Sequence, residues 1–243
     1  MLPKRQDAPT EGVKLMPPKS GQGNPSPKKQ VLIVDDHPMV RERLGQLIND
    51  TGDLSVCGVA SSAAQALDAA TKLRPDIAIV DLNLKGSSGM ELLKNLRALH
   101  SGLPVLVLSM HDESSFAERV LRAGAKGYIS KQEDTQRVLA AVRRVLSGGI
   151  YLSEAMSARL LERTTGGKLA AIESPVNVLS DRELEVFQMI GQGYETRRIA
   201  EESHLDVKSV ETYRSRIREK LGLRNMTQLV VRAAQWVQDE GYK

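Results

Sequence analysis

From residue 31 onward the chain switches repeatedly between two hydrophobic periods. Short apolar runs lie at residues 31–34, 54–59, 77–80, 105–108 and 127–129. Each is followed by a stretch with helical spacing: "MVRERLGQLIND", "SAAQALDAATKL", "GMELLKNLRALH", "SFAERVLRAGA" and "TQRVLAAVRRVLS". In the last, Val138, Val142, Val145 and Leu146 fall on one helical side. Near-continuous apolar strands are those buried on both faces of a sheet. Five strand–helix alternations therefore predict an α/β unit with a doubly wound parallel sheet. Gly148 and Gly149 stop the fifth helix and place the edge of this unit at about residue 150.

Beyond that edge the strand period disappears. Residues 151–176 hold Gly166, Gly167 and Pro175 and read as a linker, with a short helix over 153–163. From 177 to 243 only helical patterns remain. The first opens on "SDRE", where Ser180 and Glu183 have capping-box spacing, and stops at Gly191 and Gly193. A short one covers 196–203, a third runs from Asp206 to Leu221, and a fourth covers 226–236. Four short helices with a tight connection at "SHLD" predict a small all-α unit of helix-turn-helix type.

Composition narrows the class of protein. Residues 1–28 are rich in Pro, Lys, Gly, Ser and Gln without apolar periodicity, which predicts a disordered tail. The first 30 residues carry six cations against two anions, so the net charge of +4 belongs to this tail and the body is neutral. A nucleic-acid surface must then come from local clustering. The single cysteine, Cys57, excludes an internal disulfide and fits a reducing cytoplasm. No apolar run approaches the roughly 18 residues of a membrane span, and no secretory h-region stands out, so a cytoplasmic location without membrane contact is expected.

The first strand, "VLIV", runs directly into Asp35 and Asp36. Adjacent carboxylates repel, and burial raises the cost. They either face solvent and cap the next helix, or hold a cation. In a doubly wound sheet ligands bind beyond the carboxyl ends of the strands, where strand order reverses. Asp81 ends the third strand; if the order is 2-1-3-4-5, three carboxylates meet in one cleft. A hard divalent cation such as Mg²⁺ suits that set. Ser109 ends the fourth strand with a hydroxyl, and Lys131 follows the fifth with an ammonium. Carboxylate, cation, hydroxyl and ammonium are the parts of a phosphoryl-transfer site.

"VLIVDDHPMVRERL", "PDIAIVDLNLKGSSGMELL", "VLVLSMHDE" and "GAKGYISK" resemble the receiver domain of two-component response regulators over residues 29–150. The resemblance implies a flavodoxin-like (βα)5 fold with Asp81 as phospho-acceptor. It implies Mg²⁺ held by Asp35, Asp36, Asp81 and the carbonyl of Asn83, and Lys131 paired with the phosphoryl group. Ser109 and Tyr128 would form the switch, the hydroxyl moving to the phosphoryl oxygen and the ring turning inward behind it. Lys85 departs from the family, which often has proline there, and bears on phosphoryl lifetime. His37 and His111 lack a repeated ligand spacing and read as loop or packing residues.

"LSDRELEVFQMIGQGYETRRIAEESHLDVKSVETYRSRIREKLGL" resembles the LuxR-type helix-turn-helix of the NarL/FixJ class. Asp206 is the natural N-cap of the third helix, and Val210, Ile217 and Leu221 its buried stripe. Residues 208–224 carry six cations against two anions. Lys208, Glu211, Thr212 and Ser215 are base-edge candidates; Arg214, Arg216 and Arg218 suit phosphates, with Arg197 and Arg198 in support. Arg198 stands where the family commonly has an acid. Leu229, Val230, Ala233, Trp236 and Val237 line one side of the last helix, as core or dimer surface. The resemblance implies a phosphorylation-controlled transcriptional regulator rather than an enzyme, acting beyond its own phosphorylation and dephosphorylation on no substrate. Its partners would be a sensor histidine kinase, double-stranded DNA and RNA polymerase, and the phosphorylated form would be a homodimer. Two other readings stay open: a Mg²⁺-dependent phosphatase using Asp81, and a constitutive DNA-binding protein. Against a haloacid-dehalogenase-like phosphatase, whose motif is D-x-D, the acids here are adjacent.

Overall fold

The computed structural model describes residues 27–85, 87–110, 113–164 and 175–239. Almost all of the basic tail therefore lies outside the described residues, as do Gly86, His111 and residues 165–174 of the linker.

Strands β1 (Lys29–Val34), β2 (Leu54–Ala60), β3 (Ile77–Val80), β6 (Val105–Ser109) and β7 (Gly127–Ser130) form one parallel sheet in the order β2-β1-β3-β6-β7. A two-residue antiparallel hairpin, β4 (Asn83–Leu84) with β5 (Ser87–Ser88), follows β3. Without it the order is the expected 2-1-3-4-5. The side-chain period of two sorts the strands cleanly. Val31, Ile33, Ile77, Ile79, Leu106, Leu108 and Ile129 face one core, shared with α1 (Pro38–Asn49) and α5 (Thr135–Leu146). Leu32, Val34, Ala78, Val80, Val105, Val107 and Tyr128 face the other, shared with α2 (Ala63–Leu73), α3 (Gly89–Leu99) and α4 (Glu113–Ala123). Both faces are covered, which explains why these strands carry no polar alternation.

Helix α6 (Glu154–Thr164) lies where a short linker helix is expected. A 3₁₀ turn (Pro175–Val178) then leads into α7 (Asp181–Gly191), α8 (Thr196–Glu202), α9 (Val207–Lys220) and α10 (Met226–Asp239). Ser180 caps α7 in a complete capping box: its hydroxyl accepts from the Glu183 N–H, and the Glu183 carboxylate accepts from the Ser180 N–H at 2.7 Å. Asp206 caps α9, accepting from the Ser209 N–H at 2.7 Å. Val210 and Ile217 are fully buried, and Leu221 packs partly buried against them. On α10 Leu229, Ala233, Trp236 and Val237 are core. Val230 is not: at the edge of the buried stripe, it is 41% exposed beside an exposed Val231.

The second core does not end with the sheet unit. Its apolar cluster continues through Val176, Leu179, Leu184 and Phe187 into the C-terminal helices. Arg119 on α4 ties the junction: its guanidinium donates to the Leu179 carbonyl at 2.9 Å, the Val176 carbonyl at 3.0 Å and the Asp181 carboxylate at 3.2 Å. Lys94 on α3 lies 3.4 Å from the same carboxylate. Among the described residues no helix is long and apolar enough to cross a membrane.

Candidate functional site

The backbone places the carboxylates before any side chain is considered. The Asp35 N–H donates to the Ala60 carbonyl at 3.1 Å, and the Asp81 N–H to the Val34 carbonyl at 2.8 Å. Both acids are thus the first residues past adjacent strands, at the carboxyl edge where strand order reverses. The loop after Asp81 can close because of Gly89. A Cβ there would stand 2.4 Å from the Asp81 carbonyl oxygen, and the Gly89 N–H donates to the Leu82 carbonyl.

Neither Asp35 nor Asp36 caps α1; His37 holds the N-cap position, with Pro38 in the first turn. Asp35 and Asp81 are each only 2% exposed. Lys131 lies between them, its ammonium 2.7 Å from one Asp35 oxygen and 2.6 Å from one of Asp81. The Lys131 N–H is itself held by the Ser109 carbonyl at 2.8 Å, which fixes the start of the lysine's reach. Asn83 is half-buried on β4, and its backbone N–H donates to the Asp81 carboxylate. Burial pushes the Asp81 carboxyl up to about 6; Lys131 opposes the rise and Asp35 adds to it. Burial works against the Lys131 charge, but the Asp81 and Asp35 carboxylates outweigh it and raise its pKa.

One ammonium does not satisfy three carboxylates. The outer oxygens Asp81 Oδ1 and Asp36 Oδ1 are buried without a hydrogen-bond partner. Asp35, Asp36, His37 and Asp81 bring ligand atoms within 4.8 Å of one another. Orphaned carboxylate oxygens converging in a buried cleft fit a hard divalent cation such as Mg²⁺. The structure therefore brings together all the residues expected here: Asp35, Asp36, Asp81, Asn83 and Lys131, with Ser109 behind them, buried at the end of β6.

Tyr128 is fully buried, in the same apolar cluster as Phe116 and Met156. The Tyr128 N–H donates to the Tyr151 carbonyl at 2.9 Å, and α4 packs against both β7 and α6. Lys85 is exposed.

Sequence reasoning missed the residues that approach this pocket from the C-terminal helices. His204, in the turn between α8 and α9, places Nε2 2.6 Å from Asp36 Oδ2. Glu185 of α7 is fully buried, 2.6 Å from the Arg182 guanidinium. Burial pushes its carboxyl up to about 7 against the pull of Arg182, and the charges of Asp181 and Asp81 add to the rise. Glu185 stands one turn after Asp181 and Arg182 on the polar side of α7, and His204 lies in a short turn, so neither carried a local signal of its burial or its partner.

On α9, Lys208, Glu211, Thr212, Ser215 and Arg216 are exposed, as base or phosphate contacts require. Arg214 and Arg218 are half-buried. Arg214 bonds the Thr196 hydroxyl and so pins α9 to α8, and Lys220 is engaged by Glu183 at 2.6 Å. These two cations tie α9 to α8 and to α7 as well as charging it. Arg197 is exposed, and Arg198, in place of the family's acid, lies over the Tyr194 ring at 4.1 Å and 3.8 Å from Glu202.

Comparisons with known proteins agree with this geometry. Residues 31–143 match the response regulator receiver domain, and residues 177–233 match the bacterial regulatory proteins of the luxR family. The chain is 32% identical over 205 residues to the oxygen regulatory protein NreC of Staphylococcus carnosus (strain TM300), covering 83% of this chain and 94% of that protein. It is 29% identical over 225 residues to the transcriptional regulatory protein DegU of Brevibacillus brevis, covering 86% and 95%. A crystal structure of a LuxR-family two-component response regulator from Aurantimonas sp. SI85-9A1 superposes with a TM-score of 0.53 at 30% identity, covering 58% of this chain and 100% of that one. RcsB from Salmonella enterica serovar Typhimurium, solved bound to promoter rprA, shares the fold at 23% identity with a TM-score of 0.56, over 86% and 99%. An acidic pocket at the edge of a 2-1-3-4-5 sheet, joined to a capped helix-turn-helix, thus has its counterpart along nearly the whole of known regulators, and the chain belongs to the two-component response regulators with a LuxR-type DNA-binding domain.

Proposed function

We propose that Asp81 accepts a phosphoryl group from a sensor histidine kinase and that this controls how the C-terminal helices meet DNA. The carrying observation is the pocket: a carboxylate with one oxygen held by Lys131 and the other buried without a partner. Asp81 Oδ1 attacks phosphorus in line, and the bond from phosphorus to the donor's nitrogen or oxygen breaks. Lys131, already 2.6 Å from the acceptor, neutralises charge on a transferring oxygen. Asp35, Asp36, Asp81 and the Asn83 carbonyl would hold Mg²⁺, which when bound offsets the charge gathered on phosphoryl oxygens. A second phosphoryl transfer, to water, would reset the site and is the only catalysis required of the chain.

The buried Ser109 hydroxyl and Tyr128 ring form the switch, and the junction with the C-terminal helices carries the response. A phosphoryl group adds nearly two negative charges to a pocket whose neighbours across the junction are the Glu185 carboxyl and the His204–Asp36 contact. That loosens the docked helices. In the docked form the acidic pocket sits beside the N-terminal end of α9, where DNA phosphates would come. Undocking removes that repulsion and frees the helices to dimerise on a two-fold site. A cytoplasmic location and contact with RNA polymerase follow from this role.

The test is a phosphate-affinity gel of wild type and Asp81→Asn incubated with acetyl phosphate, with and without Mg²⁺. A single Mg²⁺-dependent shifted band, absent in the variant, is expected. An equal band in Asp81→Asn would falsify the assignment.

A further inference from the structure

We infer that Asp36, His37 and His204 form a second metal site, for a late first-row divalent cation such as Zn²⁺, that clasps the two domains together. The three residues bring ligand atoms within 4.8 Å of one another. The carboxylate presents one oxygen to each ring: Oδ1 lies 2.8 Å from His37 Nδ1, and Oδ2 lies 2.6 Å from His204 Nε2. The Asp36 side chain is only 6% exposed, yet its Oδ1 forms no hydrogen bond although His37 Nδ1 lies 2.8 Å away. A buried carboxylate oxygen that faces an imidazole nitrogen without a hydrogen bond leaves a cation as the partner of both.

The donor set chooses the metal. Two imidazoles and a carboxylate suit Zn²⁺, whereas Mg²⁺ prefers oxygens and water. Zn–N and Zn–O distances of about 2.0–2.2 Å place tetrahedral donors roughly 3.3–3.6 Å apart. The observed pairs need to spread by under about 1 Å to admit the ion. Three protein ligands leave a fourth position for water, and the exposed edge of His37, 55% accessible, opens to solvent there. The His204 backbone lies at φ +52°, in the left-handed region, where Asn, Asp and His are enriched among non-glycine residues.

Asp36 belongs to the Mg²⁺ pocket as well, and it cannot serve both ions fully. Zn²⁺ at the clasp therefore holds the C-terminal helices down and weakens the pocket for phosphorylation. The site itself stands on its own geometry; only this antagonism rests on the proposed function.

The experiment is a Zn²⁺ titration of the full-length chain against a chromophoric chelator, for wild type, His204→Asn, His37→Gln and the control His100→Gln. Asn tolerates the left-handed backbone at 204 and is a poor zinc ligand, and a circular dichroism melt verifies the fold. One Zn²⁺ per chain is expected, bound at least ten-fold more weakly by each of the first two variants and unchanged in the control. Equal affinity in wild type and either variant would overturn the site. The same proteins are then labelled with acetyl phosphate and Mg²⁺, with and without Zn²⁺. Zinc should slow labelling of wild type several-fold and leave His204→Asn unaffected. Equal slowing in both overturns the antagonism. No labelling of any protein, with zinc binding as expected, overturns the phosphorylation reading and leaves the metal site standing.

Discussion

Glu185 is the residue whose surroundings fit its chemistry least comfortably. Its carboxyl is fully buried, and its pKa is pushed up to about 7 by burial, with Arg182 opposing. The folded value lies above the ordinary 4.5, so the ionised form is the disfavoured one. The contribution of this group to stability is then fully present below about pH 4.5, is lost as pH rises from there through 7, and stays lost above it. At about 1.36 kcal/mol per unit, ionisation costs roughly 3 kcal/mol. Glu185→Gln keeps a carbonyl for Arg182 and removes the charge. It should raise stability at pH 8 by about 2 kcal/mol in urea unfolding, with the gain vanishing near pH 4.5. A gain independent of pH would mean that packing, not charge, limits this position. Lys131 is the contrasting case, a buried cation that two carboxylates make easier to charge.

At the scale of elements, local chemistry decides most boundaries. The Ser180–Glu183 box starts α7, and Glu183 is then used a second time, by Lys220 of α9 at 2.6 Å. Burial raises the Glu183 pKa, but the Lys220 and Ser180 hydrogen bonds outweigh it and leave it lowered. Its contribution is therefore present above the ordinary carboxylate range and lost as pH falls through it. Ser180→Ala removes one capping acceptor and lets that carboxylate drift. The helical unit should lose about 1 kcal/mol, read as a lower midpoint in its thermal melt. An unchanged midpoint would assign the helix start to apolar packing instead. Strand and helix positions were legible because period two and period 3.6 are written locally, in runs such as "VLIV" and "TQRVLAAVRRVL". The β4–β5 hairpin was not, since two-residue strands have no period to read. On α10 the apolar side reads as core or dimer surface alike, and only the structure separates buried Leu229 from exposed Val230.

At the scale of the whole molecule, legibility depends on how far apart two partners lie in the chain. Asp35, Asp36, Asp81, Ser109 and Lys131 were found because the strand-end rule gathers them without knowledge of side-chain contacts. His204 meeting Asp36, and Arg119 meeting Val176 and Leu179, obey no such rule. They exist only because one domain lies against the other, and that choice is made by surface fit. Arg119 shows how strongly the choice is enforced. Its guanidinium satisfies two backbone carbonyls and the Asp181 carboxylate, with the side chain only 19% exposed. Hydrogen bonds to a charged group contribute about 1.5–3 kcal/mol. A loss of that size moves a docked–undocked equilibrium by roughly ten- to a hundred-fold. Arg119 lies on α4, far along the chain from α9, so Arg119→Ala alters no DNA contact directly. The unphosphorylated variant should bind its DNA about ten-fold more tightly than unphosphorylated wild type, and phosphorylation should add correspondingly less, since the docked state it relieves is already depleted. Band-shift titrations of both proteins, each with and without acetyl phosphate, measure the four affinities. If the two unphosphorylated proteins bind alike, docking does not restrain the helices, and phosphorylation must act on DNA binding through dimerisation alone.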